Sequence, residues 1–206
     1  MAVGPGCAPA PVETPIPTST PVPGERTARG TVEPADVPGG MIRSFDGTTP
    51  EIADSAYVDD AAVVIGDVVV EPDASVRPNV TLRGDGGRIV VGERANVQDN
   101  AVMHEHAVFE PNTTVGHSAI VHAATVAEGA LVGMNAVVLD GARVGEDAVV
   151  GAGAVVTEGT DAPPATLVTG VPAEPTADLD EPPSTAPAEQ YAALADRHEA
   201  TSERVD

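Results

Sequence analysis

V-A-E-G-A-L-V-G-M-N-A-V-V-L-D-G-A-R-V-G-E-D-A-V-V-G-A-G-A-V-V, Val126 to Val156, places a valine at every sixth residue. Between the valines, Ala130, Ala136, Ala142, Ala148 and Ala154 each follow a lead valine by four residues. A helix needs apolar spacings of three and four, which this stretch does not supply. Along an extended strand alternate side chains share one face, so each hexad can send one large and one small residue inward. Hexad repeats of this kind are the signature of a parallel β-helix.

The same period extends upstream. Leads fall at Ile52, Val58, Val64, Val70, Val76 and Leu82, and resume at Val91, Val97, Met103, Phe109, Val115 and Val121. With the six from Val126 to Val156 they make eighteen apolar leads, and twelve of the eighteen residues four positions later are Ala. Three short strands per coil predict about six coils, stacked at the inter-strand spacing of about 4.8 Å. Val and Ile suit such strands. The low aromatic content (2%) predicts an interior too narrow for rings. Two irregularities stand out. Arg83 to Val90, R-G-D-G-G-R-I-V, interrupts the repeat and is expected to be a loop, and one step, from Val121 to Val126, is five residues long.

Residues 1–40 are rich in Pro, Gly, Thr and Ala without periodicity. Such a segment buries too little apolar surface to offset its ordering entropy, and is expected to be disordered. Residues 41–171 form the β-helix, and residues 172–206 a linker followed by a helix. That helix is expected over residues 186–200, with Tyr191 and Leu194 turned to one side.

The formal charge is -22, from 32 acidic and 10 basic residues, and every basic residue is Arg. A chain of this charge repels nucleic acid and anionic membrane surfaces. Loss of Lys beside abundant Asp and Glu points to a salt-adapted proteome. The single cysteine, Cys7, excludes an internal disulfide and a cysteine-based zinc site. With no apolar run near the ~20 residues of a membrane span and no signal-peptide core, the expected location is the cytoplasm.

Four of the five histidines lie between His104 and His122. His104 and His122 each follow a lead by one residue and point outward, and their separation of eighteen residues is one full coil. They should stand one above the other, about 5 Å apart, close enough to share one ion at Zn–N distances of about 2.0–2.1 Å. His117 follows its lead by two residues, near a corner, and is expected to reach the metal of a neighbouring subunit in a three-fold ring. Three imidazoles with one open position make a catalytic zinc pattern, although Fe²⁺ or Co²⁺ suit the same ligands. His106 should point outward beside His104, and His198 should be solvated on the terminal helix.

These residues carry a family resemblance. R-G-D at Arg83–Asp85, N-V-Q-D at Asn96–Asp99, His104, V-G-H at Val115–His117, V-H at Val121–His122 and V-G-M-N-A-V at Val132–Val137 together resemble the γ-class carbonic anhydrases and their close relatives, over roughly residues 42–173. The resemblance implies an all-β, left-handed parallel β-helix that forms a homotrimer with metal sites between subunits. It implies that His104, His117 and His122 bind the metal. It further implies that Arg83 and Asp99 pair across the interface, that Asp85 joins that polar cluster, and that Gln98 borders the reactive water. The implied reaction is the reversible hydration of CO₂ to bicarbonate by a metal-bound hydroxide.

The chain departs from the archetype at two places. Gly86 stands where a Glu follows Arg-x-Asp, and the long acidic loop with its proton-shuttling Glu is missing, since only His104 to Val115 intervene. Of the titratable residues in that short loop, Glu105, His106 and Glu110, His106 is the expected proton relay. Two alternatives remain open: a hexapeptide-repeat acyltransferase, which shares the coil ending L-V-T-G-V-P-A at Leu167–Ala173, and a catalytically silent metal-binding assembly subunit.

Overall fold

In a computed structural model that describes residues 41–181 and residues 193–194, 197–198 and 200–201, the hexads form short parallel strands wound into a β-helix of about seven turns. The described residues belong to one compact unit, Val37–Asp206. The lead residues stack into three internal columns. One runs Leu82, Met103, Val121, Val138, Val156. A second runs Val91, Phe109, Val126, Val144, Ala162. The third runs Val58, Val76, Val97, Val115, Val132, Val150, Val168, and its seven levels exceed the six coils expected. Each of these side chains is buried, and each fully buried valine is worth roughly 1.5–3 kcal/mol over its exposed state.

The interior does admit one ring. Phe109 is fully buried between Val91 and Val126, so scarcity of aromatics does not reflect a coil too narrow for them. Alanines fill most of the remaining inward positions, with Val68, Val80 and Thr113 at others; at the five-residue step the inward small residue is Ala124, three after its lead, rather than Thr125.

A left-handed residue closes most corners, usually the third after the lead: Asp73, Asn79, Asn100, Asn112, Asn135 and Asp147 all have φ between 56 and 63°. Asn and Asp tolerate this conformation better than most residues, and Gly129, Gly141 and Gly153 take the same place in other turns. Corner glycines matter differently: a Cβ on Gly133 would come within 2.6 Å of the Ala152 N and Val150 O of the next turn.

Arg83 to Val90 is not a loop. It lies within the eleven-residue strand Thr81–Val91, which pairs in parallel with Val63–Val70. The register jumps from Gly66↔Gly84 to Val68↔Ile89, so three extra residues bulge from the longer strand, and Ile89 returns to the core. At the other end the sheet continues past residue 171, where Glu174–Asp178 adds an antiparallel strand to Thr166–Thr169. Ala193, Leu194, Arg197, His198, Ala200 and Thr201 are helical, and the His198 ring lies 6.2 Å from that of Tyr57 on the coil. Tyr191 and residues 1–40 lie outside the described residues.

Candidate metal centre

Parallel pairing sets the site. Arg83 is in register with His104, and His104 with His122, so the three stack on successive turns of one face. The His104 and His122 rings lie 5.1 Å apart, with His104 Nδ1 and His122 Nε2 at 3.1 Å. Two nitrogens about 2.0–2.1 Å from one tetrahedral ion stand about 3.3 Å apart, so the pair fits a shared metal.

Each ring meets a carboxylate on its far side. His122 Nδ1 lies 2.6 Å from Asp140 Oδ1, and His104 Nε2 lies 3.3 Å from Asp85 Oδ1. A proton on each outer nitrogen leaves the facing nitrogens with lone pairs, the tautomers that metal ligation requires. The Asp85 contact is the looser one, since its buried Oδ1 makes no well-formed hydrogen bond, whereas Arg83 donates from Nη2 to Asp85 Oδ2 at 2.7 Å. That guanidinium holds the Asp85 carboxyl below the usual carboxylate range, with His104 adding a smaller effect in the same direction.

The corner beside the pair is unusual. Glu105 and His106 are both left-handed, with φ of 45° and 34°. One turn later the five-residue step removes a residue, and the left-handed Ala123 follows its lead by only two. Its N–H donates to the carbonyls of both His104 and Glu105. This folds Glu105 back, so that ligand atoms of His104, Glu105 and His122 all lie within 4.8 Å of one another. His106 turns elsewhere: it is exposed, with its ring over Gly87.

His117 stands apart from this cluster, on a corner, with Nδ1 2.9 Å from Asp99 Oδ2. Asp99, His117 and Met134 occupy successive turns of that corner. Within one chain Arg83 therefore pairs with Asp85 and Asp99 with His117. Gln98 is buried, and its backbone N–H donates to the Val115 carbonyl. Ile120 (42% exposed) and Met134 (53%) leave apolar surface on the His122 strand and the His117 corner.

Asp140 and Glu105 were not among the residues that sequence reasoning assigned to the site. Asp140 was findable, because it follows His122 by the same eighteen residues that separate His122 from His104. Glu105 was not, because simple alternation sends it away from His104.

Comparison with known proteins agrees on the architecture. The family model described as bacterial transferase hexapeptide (six repeats) matches residues 123–158. A hexapeptide transferase family protein from Anaplasma phagocytophilum superposes with a TM-score of 0.75 at 34% identity, covering 77% of this chain and 98% of that one. A putative acetyltransferase from Bacillus cereus gives a TM-score of 0.73 at 34% identity, covering 78% and 97%. The chain belongs to the hexapeptide-repeat transferase family. Among curated relatives it is similar to a carbonic anhydrase from Geobacillus kaustophilus, 41% identical over 84 residues, 39% of this chain and 46% of the relative. It is also similar to the carnitine operon protein CaiE from a Proteus species, 37% identical over 83 residues, 38% of this chain and 42% of the relative. The matches span less than half the length of these two curated relatives.

Proposed function

We propose that this chain is a metal-dependent carbonic anhydrase of the γ class, interconverting CO₂ and bicarbonate. The observation that carries this reading is the His104–His122 pair, whose facing nitrogens are 3.1 Å apart while a carboxylate stands at each outer nitrogen. His104 and His122 hold the ion, Zn²⁺ or in its place Fe²⁺ or Co²⁺, and His117 of an adjacent subunit completes the set in a homotrimer. When bound, an ion of this kind acidifies water toward a pKa of about 7 and so supplies a nucleophile near neutral pH.

The chain's own residues do the rest. Asp140 and Asp85 keep the two imidazoles in the ligating tautomer. Arg83 holds Asp85 ionised and in place. Gln98 and Asp99 belong to the corner that faces the neighbouring subunit, and His106 carries protons to solvent. The trimer is supported by the exposed apolar side chains Ile120 and Met134 and by the corner placement of His117, out of reach of its own chain's pair.

A second reading, acyl transfer, is favoured by the names of the two solved relatives, both transferases. One experiment separates the readings: metal analysis of anaerobically purified protein, paired with stopped-flow CO₂ hydration and an acetyl-CoA consumption assay. Near-stoichiometric metal with hydration activity supports the anhydrase. Metal-free protein that consumes acetyl-CoA would replace it with a transferase, and metal without either activity would make the chain a silent metal-binding subunit. Native mass spectrometry checks the trimer.

A further inference from the structure

Among the described residues, Glu105 places a ligand atom within 4.8 Å of those of both facing histidines, and three separate features surround it. Its own φ of 45° and that of His106, 34°, lie in a region that side-chain-bearing residues seldom adopt. The left-handed Ala123 on the next turn binds the Glu105 carbonyl from below. Across from it, Gly86 leaves the space that the Glu105 side chain fills: a Cβ at residue 86 would lie 2.7 Å from Glu105 Cγ and 2.8 Å from Oε1. The glycine at this position and the folded-back glutamate are therefore two halves of one arrangement.

We propose that Glu105 is a metal ligand, so that a single subunit supplies two imidazoles and one carboxylate. The proposal rests on the reading of His104 and His122 as a metal pair. Two histidines and one carboxylate form a donor set that would suit divalent metals from Fe²⁺ to Zn²⁺. The ligand atoms already lie within 4.8 Å of one another. An in-chain third ligand means that the ion need not wait for a neighbour's His117: one chain holds it, and assembly adds to a site already loaded.

The test is Zn²⁺ binding to the full chain by competition calorimetry, with Co²⁺ visible absorption as a second readout, for the parent and four variants. Loss of a partner one shell beyond the ligands costs about 10–100-fold in metal affinity, so Glu105→Gln, which removes a ligand, should weaken Zn²⁺ binding about 100-fold and change the Co²⁺ spectrum. Gly86→Ala pushes the carboxylate aside without touching a ligand and should weaken binding in the same direction by less. Thermal melting of the metal-free variants checks that both are folded, and His117→Ala should leave in-chain Zn²⁺ binding measurable. If Glu105→Gln and Gly86→Ala both bind within about twofold of the parent while His122→Ala loses binding, Glu105 is not a ligand and the histidine reading stands alone. If the parent takes up no Zn²⁺, or His122→Ala binds as the parent does, the metal reading itself fails and takes this proposal with it.

Discussion

Asp140→Asn tests how the histidine pair is poised. Asp140 Oδ1 lies 2.6 Å from His122 Nδ1, a short charge-assisted contact. It fixes the proton on Nδ1 and leaves Nε2 free to face His104. Asparagine keeps an oxygen of the same shape but removes the charge, and its amide can also offer an N–H to Nδ1, which favours the wrong tautomer. Removing such partners lowers metal affinity about 10–100-fold. The Asp140 side chain is 54% exposed, and solvent weakens its charge, so the loss should fall at the low end. About tenfold, or ~1.4 kcal/mol, is expected. Asp85→Asn should cost less, because its contact with His104 is 3.3 Å and its charge is already engaged by Arg83. Zn²⁺ affinity is measured by competition with a chelator of known strength, with melting curves of the metal-free proteins as the folding control. An Asp140→Asn protein that binds within twofold of the parent, or an Asp85→Asn protein that loses more, would refute the tautomer argument.

Phe109→Ala should destabilise the chain by about 3–5 kcal/mol, the usual cost of emptying a buried aromatic site, because Phe109 is fully buried in its column; a urea midpoint shift worth less than 1 kcal/mol would mean that the coil closes around the gap. The Tyr57 phenol is pushed up to about 12, first by burial and then by its hydrogen bond to Asp59 at 2.9 Å. The folded chain thus holds a proton that the unfolded chain releases near pH ~10, so this contribution to stability is present below ~10 and lost as pH rises through about 12; an alkaline absorbance titration in which both tyrosines ionise near 10 contradicts it. With a formal charge of -22, melting temperature should rise from low to molar KCl as self-repulsion is screened, and a flat profile argues against salt adaptation. His106→Ala should leave Zn²⁺ content unchanged, since the ring lies over Gly87 and outside the cluster, while lowering kcat for CO₂ hydration in dilute buffer; equal metal loss in His106→Ala and His122→Ala contradicts the ligand assignment.

The coil was legible because its period is. One lead every six residues states which side chain enters, and eighteen residues per turn states which side chains stack, so the register of His104 on His122 follows from counting. The five-residue step was visible, yet its consequence was not, because counting cannot show that Ala123 would bind the carbonyls of both His104 and Glu105. Arg83 to Val90 failed for a related reason. Its glycines and charges read as a loop, but pairing with Val63–Val70 kept it extended and expelled only three residues as a bulge. Phe109 shows that a composition argument constrains an average rather than a site: one ring fits a coil that otherwise carries aliphatic side chains.

A coil of identical turns can stack rows of side chains but cannot by itself aim several of them at one point, since each row stays on its own line. Convergence needs departures from the repeat, and here they gather on one face. The bulge after Gly84 carries Asp85 to within 3.3 Å of His104. The consecutive left-handed residues Glu105 and His106 turn a carboxylate back toward the pair, and the shortened step after Val121 closes the corner from the next turn. Backbone conformations of this kind cost about 1–3 kcal/mol each and persist where the surroundings over-determine them, and local rules are most often broken at functional sites. Elsewhere a corner that turns left-handed does so at the usual third place, mostly with Asn, Asp or Gly and at three corners with Arg94, Ser118 or Ala165. That the bulge, the consecutive left-handed pair and the shortened step all gather around His104 and His122, on turns whose remaining residues obey the repeat, is an argument for selection on this corner that does not depend on which ion or which substrate it serves.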